Sequence, residues 1–147
     1  MWADSLFIAE RNHLLRLAIW GAACVLAGTA LLILVFFRRG GRWPLLSHFS
    51  IQTAAWGAAW MAMAAWGLRS LAYRDLDSYT RLDRALWMGV GLDVGLAAMG
   101  TTLALAGWWM GRRMGAVGAG LAILIQGLAL LTIHSTLLGI LTRLTVG

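Results

Sequence analysis

Five side chains interrupt runs that are otherwise almost wholly apolar: Asp93, His134, Gln126, Gln52 and Cys24. Asp93 is the only formal charge inside the apolar stretches 17–37, 45–68, 85–111 and 115–142. A charge within a bilayer is costly, so such a residue turns towards the interior of a helical bundle and takes a partner there. Depth identifies the partner. Asp93 lies eight residues inside Ala85 and His134 eight residues before Thr142. At a rise of about 1.5 Å per residue both sit ~12 Å in. Their helices run in opposite directions, so both depths are counted from the same membrane face. The expectation is an Asp93–His134 contact in a layer bordered by Cys24 and Trp60, with Gln126 and Gln52 forming a second polar step. That chemistry is a protonatable pair, or a pair that only fixes helix register.

The elements that position these residues are four helices. A hydrocarbon core of ~30 Å is crossed by about 20 apolar residues, and each of the four stretches meets that length. Helix 1 is taken back to residue 14, so the spans are 14–37, 45–68, 85–111 and 115–142 within a single transmembrane domain, 1–147. The predicted fold is all-α: an antiparallel up-down-up-down four-helix transmembrane bundle with a short amphipathic N-terminal helical extension. In that extension Leu6, Phe7, Leu14 and Leu15 are set against Glu10, Arg11 and Asn12, and Asp4-Ser5 can cap it. Acids mixed with bases before helix 1, and the length of its apolar run, argue against a cleavable signal.

Composition agrees. The chain is 61% hydrophobic, with a mean hydropathy of +0.76. Its net charge is +6 and every basic residue is Arg. These arginines are scattered over short polar segments without a basic stripe, which excludes a nucleic-acid surface and suits headgroup anchoring. One cysteine, Cys24, allows no internal disulfide and no cysteine metal site. No nucleophile with a positioned base, phosphate loop or metal-ligand cluster is present, so neither an enzyme, a cofactor nor a metal site is expected.

Paired glycines and Arg38, Arg39 and Arg42 end helix 1, Pro44 opens helix 2, and Asp77, Ser78 or Thr80 caps helix 3. The segment 69–84, with Arg74, Asp75, Arg81 and Asp83, reads as a solvated face with local ion pairs. Trp2, Trp20, Trp43, Trp66, Trp87, Trp108 and Trp109 form an aromatic belt. Trp56 and Trp60 lie deeper, one turn apart, as packing residues or a stacking platform. Gly91/Gly95 and Gly107/Gly111 are expected to let helices approach closely. His48 lies near the tight-loop face, too far from His134 for both to hold a haem. A raw count, seven arginines on the face of both termini against five on the tight-loop face, puts the termini in the cytoplasm. The compact acid-free clusters of the tight loops favour instead those loops inside and both termini outside, the orientation taken as the expectation.

Three segments, Gln52-Thr53-Ala54-Ala55-Trp56-Gly57, Leu86-Trp87-Met88-Gly89-Val90-Gly91-Leu92-Asp93-Val94 and Gly118-x-Gly120-Leu121-x-Ile123-x-Ile125-Gln126-Gly127, resemble a family of small four-helix bacterial integral membrane proteins of unknown function, a domain of unknown function. The resemblance implies the topology and no activity. It also implies Asn near position 24 and Asp near 134, where this chain has Cys24 and His134.

The expected function is that of a non-catalytic integral membrane protein of the bacterial inner membrane. It would be a subunit, scaffold or helix-packing partner in a complex, meeting lipids and other membrane subunits or itself as a homo-oligomer. Two alternatives remain open: a small proton-coupled transporter using Asp93, and a membrane binder of pigment, quinone or lipid.

Overall fold

The computed structural model describes residues 2–39 and 43–146 as four helices: α1 (Trp2–Arg39), α2 (Pro44–Arg69), α3 (Leu76–Trp109) and α4 (Met114–Val146). The expected turn residues Gly40, Gly41 and Arg42 lie outside the described residues. No strand occurs among the described residues. Three helices, α1, α3 and α4, are long and apolar enough to cross a membrane. Helix α2 is the fourth expected span, and its most apolar stretch is less apolar than those of the other three. Its 26 residues suffice in length, but Ser47, His48, Ser50, Gln52 and Thr53 crowd its first ten positions and lower its hydropathy. Ser50 and Thr53 are buried rather than exposed to lipid.

Local chemistry fixes the ends. Pro44 occupies the first turn of α2, where its missing N–H costs nothing. Asp75, two residues before the first of the expected caps, is the N-cap of α3, its Oδ1 accepting from the Ser78 backbone N–H at 2.9 Å. Those bonds from Ser78 hold the Asp75 carboxyl below the usual carboxylate range. The cap is therefore in place above that range and weakens as pH falls through the lowered value. The α3–α4 turn carries positive φ at Gly111 and Arg112, and the Arg113 N–H closes it on the Gly107 carbonyl at 2.7 Å. Gly111 thus serves the turn and touches no neighbouring helix, contrary to its expected packing role.

The N-terminal extension does not lie apart; α1 is a single helix of 38 residues, about 57 Å long. It therefore projects beyond a ~30 Å hydrocarbon core. Its first turns are folded into the bundle, where Leu6 and Ala9 pack with Leu86, Leu137, Leu138 and Leu141. Glu10 is on this buried face, not on the polar face the amphipathic reading gave it. Leu6, Glu10, His13, Leu17 and Cys24 recur at helical spacing along one stripe.

The helices form two close pairs, α1 with α2 and α3 with α4, joined chiefly through α2 and α4. No Cα of α3 comes within 8 Å of α1 or α2. The α3–α4 seam is a seven-residue repeat on α3, Leu86, Asp93, Gly100 and Gly107, all buried. Opposite it, a Cβ on Gly120 would lie 2.5 Å from the Ala104 backbone nitrogen, and one on Gly107 would lie 2.8 Å from the Ala116 Cβ. Gly21 and Gly57 make the equivalent approach between α1 and α2. Gly107 packs as expected. Gly91 and Gly95 do not: they lie off the seam, and a Cβ on either would meet nothing within 4 Å.

This predicts opposite signs for two identical changes. Gly120→Ala drives a methyl into the α3 backbone and costs about 1–3 kcal/mol. Gly91→Ala leaves stability unchanged or raises it by up to ~1 kcal/mol through helix propensity. Thermal unfolding of the detergent-solubilised protein, followed by circular dichroism, gives both; equal effects would contradict the seam.

Candidate functional site in the membrane interior

The seam carries Asp93 into the apolar interior, 3% exposed. One turn-matched position on α4 faces it: His134 Nδ1 lies 2.6 Å from Asp93 Oδ2. With the carboxylate accepting, Nδ1–H donates, and the imidazole is fixed in that tautomer. His134 Nε2 has no hydrogen bond among the described residues, and 18% of the His134 side chain is exposed. The pair closes the seam at the end where α3 and α4 carry fewest glycines.

The His134 ring also meets His13, with ring centroids 5.2 Å apart. His13 is buried and its Nδ1 has no hydrogen-bond partner. A turn further towards the N-terminus, Glu10 is gripped by Arg74 in a two-pronged bond, Nε to Oε2 at 2.7 Å and Nη2 to Oε1 at 2.5 Å. That contact raises the Arg74 pKa further above its ordinary value. Arg74 also reaches the Ser78 carbonyl, so the α2–α3 connection is clamped to α1. Arg81 and Asp77 do form a local exposed pair at 2.8 Å, as the solvated reading of 69–84 expects. Arg74 departs from that reading because its partner lies 64 positions away in the chain.

Gln126 forms a separate node, 1% exposed. Its Oε1 accepts from the Trp20 indole N–H at 2.9 Å and from the Trp60 indole N–H at 3.2 Å. Its Nε2 donates to Cys24 Sγ at 3.3 Å. One amide thus joins α1, α2 and α4. Cys24 and Trp60 were expected beside the Asp93–His134 pair; their hydrogen bonds go to Gln126 instead. Gln52 joins neither group and makes no side-chain hydrogen bond among the described residues, so the expected Gln126–Gln52 step is not formed. Trp20, expected in the aromatic belt, is half-buried and turns its indole N–H inward to Gln126. His48 packs against Gly115 at the tight-loop end, away from His134.

Because no Cα of α3 comes within 8 Å of α2, a cleft opens between the two helices, with a volume of about 590 Å³. On the α2 side Trp56 and Trp60 stack on one another, centroids 5.4 Å apart and planes 16° apart. Met88, Leu92 and Met99 form the α3 wall, and among the described residues Asp93 and His134 are the only ionisable groups lining the cleft. Among the described residues no group of three or more His, Cys, Asp or Glu side chains is placed to hold a metal ion.

Sequence reasoning missed Glu10, His13 and Arg74. The signal was the spacing of Leu6, Glu10, His13 and Leu17, which continues the buried stripe of helix 1 through the extension.

Fold and interior define an α-helical membrane protein with a carboxylate–imidazole pair facing a cleft. The chain belongs to a family of unknown function, DUF6992, which matches residues 16–134. That segment holds Asp93, Gln126, His134 and both cleft tryptophans, and leaves out Glu10 and His13. No curated protein matches the chain, and no solved structure does.

Gln126→Leu strips the acceptor from two interior indole N–H groups at once, and each unpaired donor costs about 1–3 kcal/mol. The expected result is a lower midpoint for unfolding in mixed micelles, with Trp20→Phe added to Gln126→Leu recovering part of the loss. A Gln126→Leu protein as stable as the parent would show that the node does not hold the three helices.

Proposed function

We propose that this chain is a non-catalytic integral membrane protein whose role is binding: the cleft between α2 and α3 holds a lipophilic molecule of the pigment, quinone or lipid class. The observation that carries this reading is the cleft itself. Its volume of about 590 Å³ falls in the range of small-molecule sites, roughly 300–1,000 Å³. Such sites combine mostly apolar walls with a few convergent polar groups, and here the polar group is a single Asp93–His134 corner. A non-catalytic role is supported by the chemistry available there. The two ionisable groups satisfy each other, and the one thiol, Cys24, is bonded to Gln126.

A second reading, a subunit or helix-packing partner in a larger assembly or homo-oligomer, draws on α3. Beyond its first turns, where Leu86 meets Leu6 and Ala9, that helix packs on α4, and Gly91 and Gly95 leave room for another backbone. We place the protein in the inner membrane of a bacterium with the tight loops cytoplasmic. Support comes from the pairing of Arg74 with Glu10 and Arg81 with Asp77 on the termini side, while Arg38 at the end of α1 and Arg112 and Arg113 between α3 and α4 have no acidic residue near them in sequence.

Extraction from native membranes into lipid nanodiscs, followed by mass spectrometry of what is retained, separates the readings. A small lipophile held in stoichiometric amount is the expected result. A protein subunit retained in its place would favour the second reading, and an empty monomer would remove both. A C-terminal reporter is expected to be inactive in the cytoplasm; cytoplasmic activity would reverse the orientation.

A further inference from the structure

We propose that the cleft takes a planar hydroxyl-bearing ring on an apolar tail, the chemistry of a hydroquinone, with His134 accepting from the ring hydroxyl. This rests on the binding role argued above and names its ligand.

Three features of the cleft converge on that class. The first is its flat wall. Trp56 and Trp60 line the cleft as a nearly parallel stack, whose outer indole face a further ring would extend. Offset ring stacking rewards a planar ligand beyond the area it buries, and a saturated chain gains nothing comparable. The second is the state of His134. With its Nδ1 proton committed to Asp93, the ring in its neutral form offers a lone pair at Nε2, which has no partner among the described residues. A pure hydrocarbon would cover that nitrogen without satisfying it, at the cost of an unpaired buried polar atom. A hydroxyl satisfies it. The third is depth. Asp93 sits eight residues inside Ala85, ~12 Å along the helix, which is too deep for a phosphate headgroup held at the interface. A tail suits the remaining volume, because Met63, Met88, Leu92 and Met99 surround it and thioether chains adapt to irregular apolar partners.

A lipophilic cation is the other ligand a buried carboxylate suggests. Here Asp93 is already bonded to His134 and 3% exposed, so the carboxylate is screened and the imidazole is the group available. No electron transfer is part of the proposal; the hydroquinone binds and leaves unchanged.

The test uses the full chain in nanodiscs and reads tryptophan quenching. The ligands are decylhydroquinone, kept reduced, its dimethyl ether, and a phospholipid with brominated acyl chains. The variants are Gly95→Leu and His134→Leu. Gly95 borders the cleft and a Cβ there meets nothing within 4 Å, so leucine fills the cleft without disturbing the fold.

Decylhydroquinone is expected to quench the parent saturably and Gly95→Leu not at all. The ether, lacking the donor, is expected to bind about ten-fold more weakly to the parent, the worth of one buried hydrogen bond. In His134→Leu the two should bind alike. Equal binding of hydroquinone and ether to the parent would overturn the proposal. If the brominated lipid quenches the parent but not Gly95→Leu, and hydroquinone fails to displace it, the ligand class is wrong while the binding role stands. If no ligand distinguishes the parent from Gly95→Leu, both fail.

Discussion

A carboxyl group that must cross an apolar phase has few ways to be accommodated, and the arrangement of this protein follows from the one it uses. Asp93 is placed by the same seven-residue repeat that brings Gly100 and Gly107 against α4. The helix that carries the charge is therefore bound to find its partner on α4 and nowhere else. His134 meets it at 2.6 Å, and Gly127, one heptad earlier on α4, lets the backbones close at the next contact along the seam. Close glycine packing and the Asp93–His134 hydrogen bond reinforce each other. The glycines bring the backbones near enough for the bond, and the bond fixes which of several glycine registers is adopted.

Commitment of α3 to α4 has a structural consequence. Gln126, on the same helix, collects the indoles of Trp20 and Trp60 and the thiol of Cys24, tying α1 and α2 to a different face of α4. Helix α4 is thus the shared element between two polar nodes, one holding α3 and one holding the α1–α2 pair. Nothing of comparable strength joins α2 to α3 within the span. The segment between them is held instead to α1, where Arg74 is drawn to the buried Glu10. A bundle pinned in this way is closed at one end and parted along one side, and the stacked tryptophans face the gap. Lipid-phase packing makes such a gap tolerable, since apolar side chains facing it lose little by meeting acyl chains or a lipophile in place of one another.

How much of this could be read from the sequence follows the same physics. Length and hydropathy report the spans well because a bilayer imposes a fixed thickness, and Asp93–His134 was legible because depth along two antiparallel helices is simple arithmetic. The polar α2 segment showed the limit of that reasoning: Ser50 and Thr53 are tolerated because neighbours bury them, which composition alone does not reveal. Gly91 and Gly95 looked like a packing motif by spacing. Spacing does not say which face of a helix has a neighbour, and the heptad through Asp93 settles that instead. Glu10 was assigned to a polar face because it stands beside Arg11 and Asn12 in sequence. Its true partner, Arg74, is reachable only when the α2–α3 connection folds back over the start of α1, a long-range event with no local signature. Gln126 was recognised as polar and deep, but which side chains it would serve depended on helix rotation.

The dependence of the architecture on its buried pair is measured most directly by a double-mutant cycle with Asp93→Asn and His134→Gln. Unfolding free energies would be determined in mixed micelles for the parent, each single variant and the double variant. The account predicts a coupling energy of about 1–3 kcal/mol between the two positions, with the double variant less destabilised than the sum of the single ones. Strict additivity, with no coupling beyond error, would mean that Asp93 and His134 do not hold one another and that α3 is attached to the bundle by something else.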